Sequence, residues 1–173
     1  MSRLRRLVVF DRYFFVTCNL LRARRRLHAG DFEVLARVIR ERREEHGFLL
    51  TTWVFLPDHW HAIIGVRHPQ SISLVMESIK VGSTRRINTR RGDSGILWQG
   101  RFFDRALGTV KEYTEKVEYI HQNPVRRGLV TRPEEWDWSS AREYAIEKAV
   151  VAQANMHLRI DRVNIPADPR ARL

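Results

Sequence analysis

Two histidines, His59 and His61, flank Trp60 at the opening of a strand-like run, WHAIIGV over residues 60–66. Alternation puts residues i and i+2 of a strand on one face, so both imidazoles point the same way. Two neutral imidazoles side by side form half of a divalent-cation site, whose third ligand has to come from elsewhere in the chain. On these residues alone, a pair of half-exposed strand histidines explains the pattern as well. Asp58, just before the pair, suits a ligand, an orienting partner of a ligand, or a turn residue that bonds its own backbone.

A second cluster is Glu118 to Pro124, EYIHQNP, in which Tyr119 and Asn123 stand four residues apart and share one face of a helix. A tyrosine hydroxyl, with a pKa of about 10, is a poor nucleophile at neutral pH. It attacks only a phosphate polarised by a metal and held in line with it. Tyr119 also fits a core tyrosine with a polar tip, and Asn123 fits the end of a helix before a proline.

The elements that must position these residues are legible in the pattern. Tyr13 to Cys18 (YFFVTC) reads as a first strand. A helix follows from Asp31, its expected N-cap, with Phe32, Leu35, Ala36, Val38 and Ile39 at helical spacing and Gly47 as the stop. Leu49–Leu56 and Trp60–Val66 form a hairpin around the turn residues Pro57 and Asp58. A second helix spans Leu74 to about Asn88, a fourth strand with its approach spans Leu97–Leu107, and a third helix runs from Lys111 to about Gln122, closed by Pro124. This order specifies an α+β fold, with an antiparallel sheet and helices packed on it. Trp136 and Trp138 are expected to pack onto the body. Residues 1–145 read as one domain and 146–173 as a polar C-terminal tail with scope for partial order.

Charge points to the partner. The chain carries 31 basic and 20 acidic residues, a net +11, and 27 of the basic residues are arginine, whose planar fork pairs with phosphate and stacks on bases. Arg22, Arg24, Arg25 and Arg26 crowd one segment, and Arg85, Arg86, Arg90 and Arg91 another. A polyanion such as nucleic acid fits these clusters, although a solvated basic face is the plain alternative. The single cysteine, Cys18, lies in a strand-like run and reads as a buried thiol, which suits a reducing cytoplasm. No apolar run is long enough to span a membrane, and no export signal is expected at the N-terminus.

Five segments together, FFVT (14–17), WVFLPDHWH (53–61), LWQGRFFDR (97–105), YIHQNPVRRGLV (119–130) and WDWSS (136–140), resemble the single-tyrosine HUH transposases, and within them the REP-associated tyrosine transposases. They span most of residues 10–144 in order. The resemblance implies a ferredoxin-like antiparallel sheet with flanking helices in residues 1–145. It maps the HUH pair onto His59 and His61, the nucleophile onto Tyr119, and the third metal ligand onto Asn123, with Gln122 one position off that face. It further implies Mg²⁺ or Mn²⁺ as cofactor, single-stranded and hairpin DNA as partner, a 5′-phosphotyrosine intermediate, and a protein acting as a monomer, with a homodimer as the alternative. Arg22, Arg24, Arg25, Arg26, Arg85, Arg86 and Arg90 are then expected on the DNA backbone, and Arg126 and Arg127 near the scissile strand. Two other readings remain at this point. A histidine-based phosphoesterase needs a third alternate histidine or a second histidine pair, whereas Ala62 and Ile63 follow His61. A hairpin-binding regulator would keep the fold and use neither Tyr119 nor a metal.

Overall fold

Alternation along the two central strands divides their side chains between two faces, and each face has its own core. A computed structural model describes residues 12–145 and 157–173. The basic N-terminal residues 1–11, and 146–156 of the expected tail, lie outside the described residues. The elements are β1 (Arg12–Asn19), α1 (Ala29–His46), β2 (Leu49–Leu56), β3 (His59–Val66), α2 (Ile72–Arg91), β4 (Phe103–Leu107), α3 (Val110–Arg126) and α4 (Ala141–Ala145), with one 3₁₀ turn at Pro133–Glu135. The strands form one antiparallel sheet in the order β2-β3-β1-β4. That order, with the β-α-β-β-α-β succession, is the expected ferredoxin-like α+β arrangement.

Phe14, Val16 and Cys18 of β1 and Trp60, Ala62 and Ile64 of β3 face α1 and α2 and build the larger core. Phe15 of β1, Ile63 of β3, and Val54 and Leu56 of β2 face the other way, against Tyr113 and Ile120 of α3. A register shift between Leu50 and Thr52 in β2 rephases that strand, so Leu50 and Trp53 both enter the larger core although three positions separate them. His59 and His61 share their face with Ile63, on the side that α3 covers.

The structure corrects three boundaries and refines a fourth. Asp31 does not cap α1. The N-cap is His28, and the Asp31 carboxylate accepts from the His28 backbone N–H at 3.0 Å while its shortest contact, 2.7 Å, goes to Arg91. An aspartate can do this from inside the first turn because the helix N-terminus favours negative charge there. Helix α2 starts earlier than Leu74, at Ile72, because Ser71 accepts from the Leu74 N–H and caps it. Within the expected 97–107 the strand itself is 103–107, which pairs with β1, and 97–102 is its approach, held by a bridge between Leu20 and Trp98 and by Lys80 on the Gln99 and Gly100 carbonyls. Pro124 does not end α3, which runs on to Arg126. The proline removes one backbone donor. The chain beyond it is held by Arg127 N–H to the Asn123 carbonyl (3.1 Å) and Leu129 N–H to the Pro124 carbonyl (2.9 Å).

Trp138 is buried against the larger core, and the Trp136 indole donates to the Phe55 carbonyl at 2.8 Å. Residues 157–173 return to the same body. The Leu158 side chain is buried, its carbonyl accepts from the Trp53 indole at 2.9 Å, and Asp161 accepts from the Leu50 backbone N–H at 2.8 Å. Among the described residues no helix is long and apolar enough to cross a membrane.

Candidate metal and tyrosine site

Antiparallel pairing sets Asn19 opposite His59 and Thr17 opposite His61, so the histidine pair stands at the end of the sheet where β1 stops and β3 starts. Both imidazoles are buried, and their Nε2 atoms face each other at 3.1 Å. Each ring is held from its other nitrogen. His59 Nδ1 lies 2.6 Å from Asp58 Oδ1, and His61 Nδ1 lies 2.8 Å from Thr17 Oγ1. A carboxylate only accepts, so the His59 proton sits on Nδ1 and its Nε2 presents a lone pair. The Thr17 hydroxyl can accept from Nδ1–H of His61, which turns that Nε2 lone pair toward the same point. Phe15 stacks on the His61 ring with centroids 5.4 Å apart.

Burial pushes the His61 pKa down to about 3, and burial likewise lowers that of His59 against the opposing pull of Asp58. The pair is therefore neutral at pH 7, the form that binds a metal. Two lone pairs meeting at this range repel unless a cation joins them. Adjacent ligands of an octahedral ion with bonds of about 2.1 Å lie about 3.0 Å apart, so the observed separation fits such an ion. Among the described residues no group of three or more His, Cys, Asp or Glu is able to hold a metal. A third protein donor of another type, such as an amide, would complete the set.

Helix α3 carries the second half of the site. Thr109 caps it by accepting from the Glu112 N–H, and the helix lies on the face that holds the histidines. Tyr119 is half-buried, edge-on to His61 with centroids 5.4 Å apart and to Phe15 at 5.8 Å. Asn123 follows one turn later and is buried. Gln122 is turned away and lines a groove with Glu118, Pro133 and Glu134. The neighbouring His121 is 2.9 Å from the Ser140 hydroxyl, and burial lowers its pKa to about 4.

The arginines separate into groups. Arg127 donates to Asp58 Oδ2 at 2.8 Å, so the carboxylate that orients His59 is itself held from the end of α3. Arg126 is exposed, with its guanidinium 5.4 Å from the Tyr119 ring centroid. The segment containing Arg22, Arg24, Arg25 and Arg26 leaves β1 at the histidine end of the sheet: Leu20 N–H donates to the Asp58 carbonyl and Leu27 N–H to the Pro57 carbonyl. Within it Arg24 donates to the Ser94 and Ile96 carbonyls and Arg25 pairs with Asp93, while Arg22 and Arg26 are exposed. Arg86 pairs with Glu41 at 2.6 Å on the far helical layer, Arg90 lies 3.5 Å from Asp31, and Arg85 is exposed. Arg91 is buried on Asp31 at 2.7 Å and ties α2 to α1.

Three participants escaped the sequence reading. Thr17 shares a face of β1 with Phe15, and only the strand pairing brings it to His61. The bond between Arg127 and Asp58 spans 69 positions. Lys116 had a local signal, because it stands three residues before Tyr119 on one helix face.

Comparison with known proteins bears on this geometry. The family model described as "Transposase IS200 like" matches residues 12–123. A REP-associated tyrosine transposase of Escherichia coli (strain K12) is 29% identical over 141 residues, covering 81% of this chain and 82% of the relative. A solved structure described as a REP-associated tyrosine transposase bound to a REP hairpin superposes with a TM-score of 0.74 at 26% identity, covering 99% of both chains.

Proposed function

The chain belongs to the IS200-like transposase family, and from that premise we propose that it cleaves and rejoins single-stranded DNA beside short REP-like hairpins. Tyr119 is the nucleophile, and His59, His61 and Asn123 hold Mg²⁺ or Mn²⁺. One observation carries the reading: a helical tyrosine packs edge-on against a neutral histidine whose Nε2 stands 3.1 Å from that of a second. The hairpin is supported by the similar structure, which is described as bound to one, and by the net charge of +11.

The metal, when bound, supplies positive charge to polarise the scissile phosphate and screen the charge that develops on it. The chain's own residues do the rest. Asp58 and Thr17 fix the two imidazoles so that both Nε2 atoms stay available. Phe15 and His61 hold the Tyr119 ring on α3, and attack requires its hydroxyl in line with the leaving oxygen. As the Tyr119 Oη–P bond forms, the P–O3′ bond breaks. The tyrosyl proton is lost to solvent, and the departing 3′ oxygen takes one up. The product is a 5′-phosphotyrosine and a free 3′-hydroxyl. Attack by a 3′-hydroxyl on that linkage reverses the step, so the bond is conserved and no nucleotide is consumed. The protein works on DNA in the cytoplasm, as a monomer.

The test is incubation with single-stranded hairpin DNA from the protein's own locus, with and without Mn²⁺, followed by denaturing electrophoresis. A covalent adduct that needs Mn²⁺ and is absent from Tyr119→Phe and His61→Ala is expected. An adduct that persists in Tyr119→Phe overturns the mechanism. Tight hairpin binding with no cleavage by the parent favours the regulator instead.

A further inference from the structure

Lys116 stands three residues before Tyr119 on α3, and its side chain turns inward. The ammonium lies 4.7 Å from the Phe15 ring centroid and 5.2 Å from that of Tyr119. Its neighbours on the helix explain why it is left there. Glu112, the partner expected one turn earlier, is taken by Arg105 at 2.7 Å and by the Gly108 N–H at 2.8 Å. Glu115 faces Lys111 at 3.9 Å. Among the described residues Lys116 takes part in no ion pair. An ammonium is strongly hydrated, and two aromatic faces replace little of that hydration. A charge held over the Tyr119 ring with no carboxylate to neutralise it is suited to an anion that arrives with the substrate.

We infer that Lys116 is a further catalytic residue, whose ammonium contacts a non-bridging oxygen of the scissile phosphate and of the phosphotyrosine that replaces it. This rests on the reading of Tyr119 as nucleophile. Tyr119 then stands between the neutral imidazoles proposed as metal ligands and a fixed cation. The histidine pair lies on one side of the ring's environment, at His61, and Lys116 lies over the ring itself, with Arg126 a second cation 5.4 Å from the same centroid. A preorganised cation at a phosphate gains most in the transition state, where charge on the oxygens is redistributed, so the effect falls on the rate of cleavage more than on hairpin affinity.

The experiment uses the full-length protein, Mn²⁺ and the hairpin oligonucleotide whose cleaved linkage the parent has defined. Lys116→Met keeps the apolar stem on the rings and removes the charge; Lys116→Arg keeps a charge. Adduct formation under single-turnover conditions is expected to slow on the order of 10²-fold in Lys116→Met, the scale of losing one preorganised electrostatic contact. Hairpin affinity should change less than about twofold and melting not at all, while Lys116→Arg recovers most of the rate. With a neutral methylphosphonate at the cleaved linkage, parent and Lys116→Met should react at the same rate, because the charge that Lys116 meets is gone. The inference is overturned if Lys116→Met matches the parent on the phosphodiester, or loses as much on the methylphosphonate. A parent that forms no adduct at all overturns the nucleophile assignment and this inference together; a parent that forms it while Lys116→Met does so equally well overturns this one alone.

Discussion

Asp58 touches His59 with one carboxylate oxygen and Arg127 with the other, at 2.6 and 2.8 Å. The three side chains form a chain of contacts from the end of α3 to the Nε2 atom that faces His61. A partner on the remote nitrogen of a metal-binding imidazole fixes both its tautomer and its orientation, and its loss costs about 10–100-fold in metal affinity. Asp58→Ala should therefore weaken Mn²⁺ binding by that factor in titration calorimetry, with a smaller loss in Arg127→Ala. Because both act through one carboxylate, the double variant should bind about as poorly as Asp58→Ala alone. Additive losses would mean that Arg127 acts independently, for example on DNA. The His59–Trp60–His61 spacing was readable from sequence because a strand fixes which side chains share a face. Thr17 was not, since nothing local to position 17 says that it stands opposite 61.

At the scale of elements, the two helices of the layer opposite α3 are joined to each other as much as to the sheet. Asp31 near the start of α1 is fully buried and is met by Arg91 from the last turn of α2, itself almost fully buried, at 2.7 Å. Arg91 also donates to the Arg25 and Arg26 carbonyls and so pins the basic segment after β1. Hydrogen bonds from Arg91 hold the Asp31 carboxyl below its ordinary range against the opposing effect of burial. Breaking such a pair from one side leaves a buried charge without its partner. Arg91→Ala should lower unfolding free energy by about 3–5 kcal/mol, read from urea denaturation. A loss under about 1 kcal/mol would show that water reaches Asp31 and replaces the guanidinium. Sequence periodicity located α1, α2 and α3. It misplaced their ends, because Asp31 has the chemistry of a cap and Pro124 that of a stop. Which role each plays depends on Arg91, and on the hydrogen bonds made by residues 127 and 129.

In the whole molecule, one chain supplies both sides of the proposed site. Tyr119 packs on the His61 of its own chain, and Asn123 follows on the same helix. A site completed within one chain gives no route for complementation between damaged copies. Mixing Tyr119→Phe with His61→Ala should therefore yield no adduct, whereas recovered cleavage would show an exchange of α3 between two copies. The amino-acid sequence by itself determined the α+β class, the order of the four strands and three long helices, the shared face of His59 and His61, and the shared face of Tyr119 and Asn123. All of these follow from backbone periods of 2 and 3.6, which act over a few residues. Tertiary structure alone decided that α3 crosses the histidine face of the sheet, that Thr17 and Asp58 hold the two rings, that Lys116 lies over Phe15 and Tyr119, and that Arg24, Arg25, Arg86 and Arg127 spend their donors on partners within the protein. These contacts join residues tens of positions apart, and strand pairing and helix docking, which no local spacing encodes, bring them together.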